Sequence, residues 1–105
     1  MTPVSEQIAR EFAQKVREKV PDQIREIYLY GSRARGDEES DSDYDILIVV
    51  DDKVASLENR VFEAAGEILD AYEALVAPMV CPMDTFKRFK EVGLFRVVLR
   101  EGIRL

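Results

Sequence analysis

The sequence predicts a single α/β domain in which a small mixed β-sheet carries helices packed mainly on one face. Three observations predict it. Runs of β-branched and aromatic residues (Ile27–Tyr30, Tyr44–Val50, Leu75–Val80) alternate with apolar stripes at helical spacing. Polar loops sit at the tips of those runs, as expected where strands and helices segregate into layers. The 105 residues, 47% hydrophobic and 34% charged, suit one domain spanning 1–105 with its own core, and show no repeat, linker or low-complexity tract.

The elements follow in order. Thr2-Pro3 reads as an N-cap with proline in the first helical turn, and Ile8, Ala9, Phe12, Ala13, Val16 and Val20 form the apolar stripe of a first helix ending at Pro21. Ile27-Tyr28-Leu29-Tyr30 is a strand that stops at Gly31, and Ser32–Arg35 can close one helical turn. Tyr44–Val50 is a second strand. A helix from about Lys53 to Tyr72 carries Leu57, Val61, Ala64, Ile68 and Tyr72 on one face, and Leu75–Val80 follows as a third strand. Phe86 and Phe89 begin a further helix, and Leu94, Val97 and Val98 another, before Gly102.

The chemistry-bearing residues lie between the first two strands. Gly31-Ser32 and Asp43-Tyr44-Asp45 are separated by ten residues. A glycine lets a phosphate approach the backbone, and a helix start offers unpaired N–H donors to an anion. Ser32 adds a hydroxyl, and Arg33 or Arg35 can add a charged fork. Residues two apart on a strand share a face, so Asp43 and Asp45 project together, about 6–7 Å apart along the chain. Their oxygens suit a hard cation such as Mg2+, and two such ions about 3.5–4 Å apart would hold both oxygens of an in-line phosphoryl or nucleotidyl transfer. Tyr44 and Ile46 then point into the core. An ordinary surface turn is the competing reading of each half taken alone.

Composition removes other chemistries. With no His, one Cys and no Trp, most catalytic constellations are absent. Cys81 can form no internal disulfide and is expected as a small strand or core residue. There is no Gly-x-Gly-x-x-Gly, and Gly31 to Gly36 is not followed by Lys-Ser/Thr. A net charge of −6 argues against general nucleic-acid binding. The charge is unevenly spread, since Phe86–Leu105 holds six basic residues against Glu91 and Glu101. The start Met1-Thr2-Pro3-Val4-Ser5 has no hydrophobic signal segment and no apolar run reaches membrane-spanning length, so the expected setting is a reducing cytoplasm without membrane association.

Tyr30-Gly31-Ser32, ten intervening residues and Asp43-Tyr44-Asp45-Ile46 resemble the signature of the DNA polymerase beta-like nucleotidyltransferase superfamily. The fuller string Gly31-Ser32-Arg33-Ala34-Arg35-Gly36 with Ser42-Asp43-Tyr44-Asp45 is similar to its small prokaryotic branch, the minimal nucleotidyltransferase (MNT) proteins, and Arg100-Glu101-Gly102 resembles the family's closing segment. The resemblance implies the nucleotidyltransferase fold, ATP as substrate and Mg2+, in two ions, as cofactor. It implies that Gly31 and Ser32 hold the triphosphate, beside which Arg33 and Arg35 are the further nucleotide-binding candidates, while Asp43 and Asp45 hold metal and are catalytic. It further implies a HEPN-domain toxin-like protein as partner, to which some MNT proteins transfer AMP at a tyrosine.

One departure stands out. The superfamily usually supplies a third carboxylate from a later strand, yet Leu75–Val80 contains no acid. Glu73, two residues before Leu75, is the nearest candidate for a third metal ligand; a solvated helix end is the alternative. Two functions are therefore expected to compete: an adenylyltransferase acting as an antitoxin, or an antitoxin that neutralises its partner by occlusion around a weak or inactive site. Transfer to a small molecule is a third, less favoured because such enzymes usually carry a further domain. Self-association of the chain is left open.

Overall fold

A computed structural model describes residues 2–37 and 42–105. Helix α1 (Pro3–Lys19) starts as expected: the Thr2 hydroxyl accepts from the Ser5 N–H at 3.1 Å. Strand β1 (Ile24–Tyr30) leads into the single turn α2 (Ser32–Arg35), and β2 (Tyr44–Val50) follows the loop. Helix α3 (Ala55–Tyr72) returns the chain so that β3 (Val76–Pro82) lies parallel to β2, as a strand–helix–strand crossover requires. The chain ends with α4 (Met83–Phe89), α5 (Gly93–Glu101) and the two-residue strand β4 (Ile103–Arg104).

The sheet order is β3-β2-β1-β4, with β1 antiparallel to both β2 and β4, so the sheet is mixed as predicted. Alternation along the strands divides the core. Ile27 and Leu29 of β1, Tyr44, Ile46, Ile48 and Val50 of β2, and Val76 and Val80 of β3 face α1 and α3, which contribute Phe12, Val16, Val61 and Ile68. Fully burying one such aliphatic or aromatic side chain contributes about 1.5–3 kcal/mol, and this face holds most of them. The other face carries Tyr28, Leu47, Val49 and Cys81, covered by Phe86 of α4 and Val98 of α5. Phe86 stacks on Tyr28 (centroids 6.1 Å apart) and meets Phe95 edge-on at 5.6 Å. The two long helices thus share one face, and the short C-terminal pair covers the second.

Strand β4 has no counterpart in the sequence reading. It forms because Gly102 lets the chain leave α5 close against β1: a Cβ there would collide with the Val98 carbonyl and stand 3.2 Å from the Leu29 carbonyl. The Leu105 N–H then bonds the Ile27 carbonyl at 2.8 Å. At the opposite edge, β3 is the outermost strand. The Tyr44 N–H bonds the Leu75 carbonyl at 2.9 Å, so the odd-numbered residues of β3 direct their backbone toward β2. The outward backbone positions are Val76, Pro78, Val80 and Pro82.

Candidate functional site

Strand geometry places the predicted groups at one end of the sheet. Tyr30, the last residue of β1, is the register partner of Asp45 near the start of β2, and Asp45 is in turn the partner of Ala77 on β3. All three lie on the face covered further along by α4 and α5, because Tyr44 and Ile46 occupy the α1–α3 face. Asp43 is exposed just before the strand, and Asp45 is half-buried.

Gly31 is built into this end. Its φ of +79° and ψ of −158° lie in a region that only glycine occupies without strain. A Cβ on it would collide with Asp45 Oδ2 and stand 3.3 Å from Asp45 Cγ. The glycine turn and the Asp45 carboxylate are therefore packed directly against each other. Gly36, with φ +81°, closes α2 in the left-handed conformation, and the Asp37 N–H bonds the Ser32 carbonyl at 3.1 Å.

Burial raises the Asp45 pKa, and the neighbouring Asp43 charge adds to the rise, while Arg35 opposes it. Burial and the Asp45 charge likewise raise Tyr30. The Asp45 carboxylate is thus a partly desolvated anion with a second anion nearby, a setting that a cation would relieve. Because folding raises its pKa, ionised Asp45 costs stability at neutral pH, and acidification through the carboxylate range removes that cost. Without metal, Asp45→Asn should therefore melt above the wild type at pH 7, with the difference closing as pH falls toward the ordinary Asp value of 3.8. Thermal melts at several pH values in chelator check this; a variant melting lower at pH 7 would show Asp45 to be a structural acceptor.

The predicted set divides. Gly31, Ser32, Arg35, Asp43 and Asp45 gather around the ends of β1 and β2. Arg35 is exposed, 3.3 Å from Asp37 and 3.7 Å from Glu101 of α5, so the Arg-Glu-Gly segment reaches the same end of the sheet. Arg33 departs from the expected role. It is buried, its Nε donates to the Ser42 carbonyl and its Nη1 to Ser5 Oγ, both at 2.8 Å, so its fork faces the protein interior rather than a phosphate. Glu73 departs too. It is exposed, caps α3 with φ +54° and donates its N–H to the Leu69 carbonyl at 2.8 Å, three residues before β3 begins. Among the described residues no three carboxylate, thiol or imidazole groups gather as a metal cage. Of the loop acids Asp37, Glu38, Glu39 and Asp41, which the sequence suggests are solvated charges rather than ligands, Asp37 is exposed beside Arg35 and the other three lie outside the described residues. The set still fits Mg2+, which commonly takes one or two carboxylates and completes its shell with waters and substrate phosphates.

No helix among the described residues is long and apolar enough to cross a membrane. The chain matches the family model for the nucleotidyltransferase domain over residues 9–102. It is similar to a protein of Methanocaldococcus jannaschii provisionally named a protein adenylyltransferase, at 32% identity over 97 residues, covering 92% of this chain and 93% of the relative. A second protein so named from the same organism is 29% identical over 75 residues, covering 70% of this chain and 76% of the relative. Among solved structures, a chain of a toxin–antitoxin complex with AMP-PNP superposes with a TM-score of 0.63 at 19% identity, covering 91% of this chain and 70% of that one. A chain from the complex of tri-AMPylated Shewanella oneidensis HEPN toxin with MNT antitoxin gives 0.56 at 17% identity, covering 94% and 69%. These structures share the fold.

Proposed function

The chain belongs to the nucleotidyltransferase domain family, and from that premise we propose that it is a Mg2+-dependent adenylyltransferase that moves AMP from ATP onto a HEPN-type toxin partner, acting as an antitoxin in the cytoplasm. The observation that carries the proposal is the packing of the Gly31 turn against Asp45, with Asp43 on the same side. This sets the turn that would seat a triphosphate against the Asp45 carboxylate, beside a second carboxylate, a set that attracts cations. Relatives named protein adenylyltransferases, and shared fold with chains from complexes containing AMP-PNP or an AMPylated HEPN toxin, support the donor and acceptor classes.

In this reading Gly31 and Ser32 seat the triphosphate, Arg35 faces its charge, and Asp43 and Asp45 hold Mg2+. Bound Mg2+ would neutralise phosphate charge as it develops. A tyrosine oxygen of the partner bonds to the α-phosphorus, the bond to the β-phosphate oxygen breaks, and pyrophosphate leaves. Among the described residues no third carboxylate stands beside the pair, and in this reading the hydroxyl proton passes to water. AMP added near the partner's catalytic residues would repel RNA phosphates.

Incubating the chain with its HEPN-type partner, ATP and Mg2+ should raise the partner's intact mass in steps of one AMP, and Asp43→Asn should abolish the steps. The two-carboxylate set favours a second reading, neutralisation by occlusion. Neutralisation without mass change, equal in Asp43→Asn, would establish it.

A further inference from the structure

Arg33 and Ser5 are the buried polar residues of an otherwise apolar interior, and Arg33 is the buried charge among the described residues, 7% exposed. Its guanidinium bonds the Ser42 carbonyl and the Ser5 hydroxyl, and its central carbon lies 3.9 Å from the centre of the Tyr44 ring. The Tyr44 hydroxyl in turn donates to Ser5 Oγ at 3.5 Å. Taking a guanidinium out of water is costly before pairing is counted, and apolar side chains of similar volume often serve stability better. Holding α2 against α1 therefore does not require an arginine.

What an apolar residue cannot do is hold a carbonyl. The Ser42 carbonyl belongs to the peptide unit on one side of Asp43, and the Tyr44 N–H to the unit on the other. Arg33 pins the first, and the Leu75 carbonyl pins the second at 2.9 Å. Both backbone torsions of Asp43 are thereby bracketed, although its own side chain is exposed at a strand end, where chains otherwise fray.

We propose that Arg33 is a positioning residue for Asp43: through the Ser42 carbonyl it fixes the direction in which the carboxylate leaves the backbone, anchoring that direction to α1 at Ser5. The inference rests on reading Asp43 and Asp45 as the Mg2+ site. It also assigns a second task to the Gly-Ser-Arg-Ala-Arg-Gly string, in which Arg35 faces ligand and Arg33 faces the frame.

The test compares wild type, Arg33→Met, Arg33→Lys and Ser5→Ala by thermal melting, by 15N relaxation at Asp43, and by Mg2+ titration of AMP-PNP binding. In Arg33→Met the fold should persist, backbone order at Asp43 should fall, and the half-saturating Mg2+ concentration should rise about tenfold or more. Excess Mg2+ should restore AMP-PNP affinity, a rescue that general loosening of the fold would not show. Arg33→Lys, which keeps one donor for the Ser42 carbonyl, should recover part of the loss. If Arg33→Met does not fold, Ser5→Ala carries the test and should show a smaller rise of the same kind. A folded Arg33→Met with wild-type Mg2+ dependence or unchanged order at Asp43 overturns the proposal, as does a silent Ser5→Ala when Arg33→Met is unfolded. A wild-type chain that binds no AMP-PNP with Mg2+ overturns the nucleotide reading instead, and the relaxation data still decide whether Arg33 holds Asp43.

Discussion

Gly31→Val should abolish Mg2+-dependent nucleotide binding and lower stability by about 1–3 kcal/mol, the usual range for a side chain forced into a glycine-only conformation. Two effects combine. The backbone at φ +79°, ψ −158° strains any side chain, and the new Cβ occupies the place of the Asp45 carboxylate. Relief requires either the turn to open or Asp45 to swing away, and both dismantle the site. Gly31→Ala should already show most of the loss, because the collision begins at Cβ. Calorimetry with Mg2+ and AMP-PNP, paired with thermal melts, measures both effects. In nucleotide affinity, combining Gly31→Ala with Asp45→Asn should cost less than the sum of the separate losses, since the two residues share one contact. If Gly31→Ala binds nucleotide as tightly as wild type, the glycine serves only the turn.

The converse experiment restores a third carboxylate. Ala77 is the lateral register partner of Asp45 in the parallel β2–β3 pair, and Leu75, two residues earlier, follows the same alternation beside Asp43. Neighbouring strands lie about 4.7–4.9 Å apart, close enough for carboxylates on lateral partners to share an ion. Ala77→Asp should therefore tighten Mg2+ binding about tenfold or more, because added ligand charge is a main determinant of affinity at such sites. Without metal, three like charges at one strand end should lower stability by about 1–3 kcal/mol, and Mg2+ should restore it. Leu75→Asp should be gentler, since Leu75 is 53% exposed and its loss opens little cavity. Mg2+-dependent melting curves distinguish the cases. An Ala77→Asp variant that Mg2+ does not stabilise would show that β3 turns away from the metal.

Much of this arrangement was legible in the sequence, for identifiable reasons. Capping at Thr2, the stripes of α1 and α3, and the alternation of β2 all write burial directly into residue order. The Asp43–Asp45 pairing is legible because period two fixes the face. Arg33 was not legible: in a four-residue turn no periodicity separates an inward arginine from the outward Arg35, and its partner Ser5 lies 28 positions away. Serine among the hydrophobic residues of the first helix was the one available hint. Glu73 was misplaced by proximity, because a left-handed cap inserts a sharp turn between α3 and β3 that residue spacing does not reveal. Strand β4 is too short to show alternation and depends on a close approach at Gly102.

The prolines of β3 bear on how concentrated a solution this chain can tolerate. An outer strand normally offers a ladder of donors and acceptors on which another chain can add itself, the first step toward fibrils and swapped assemblies. Here every second outward position is proline, so Val76 and Val80 supply the outward N–H groups, too far apart for a continuous ladder. At the opposite border β4 is only two residues long and carries Arg104, and the start of β1 that it leaves uncovered is interrupted by a register shift between Ile24 and Glu26. Neither border can template a growing sheet. A companion protein must therefore be recognised through side chains, and removing the block, as in Pro78→Val, should make the chain aggregate in light-scattering assays under conditions where the wild type stays dispersed.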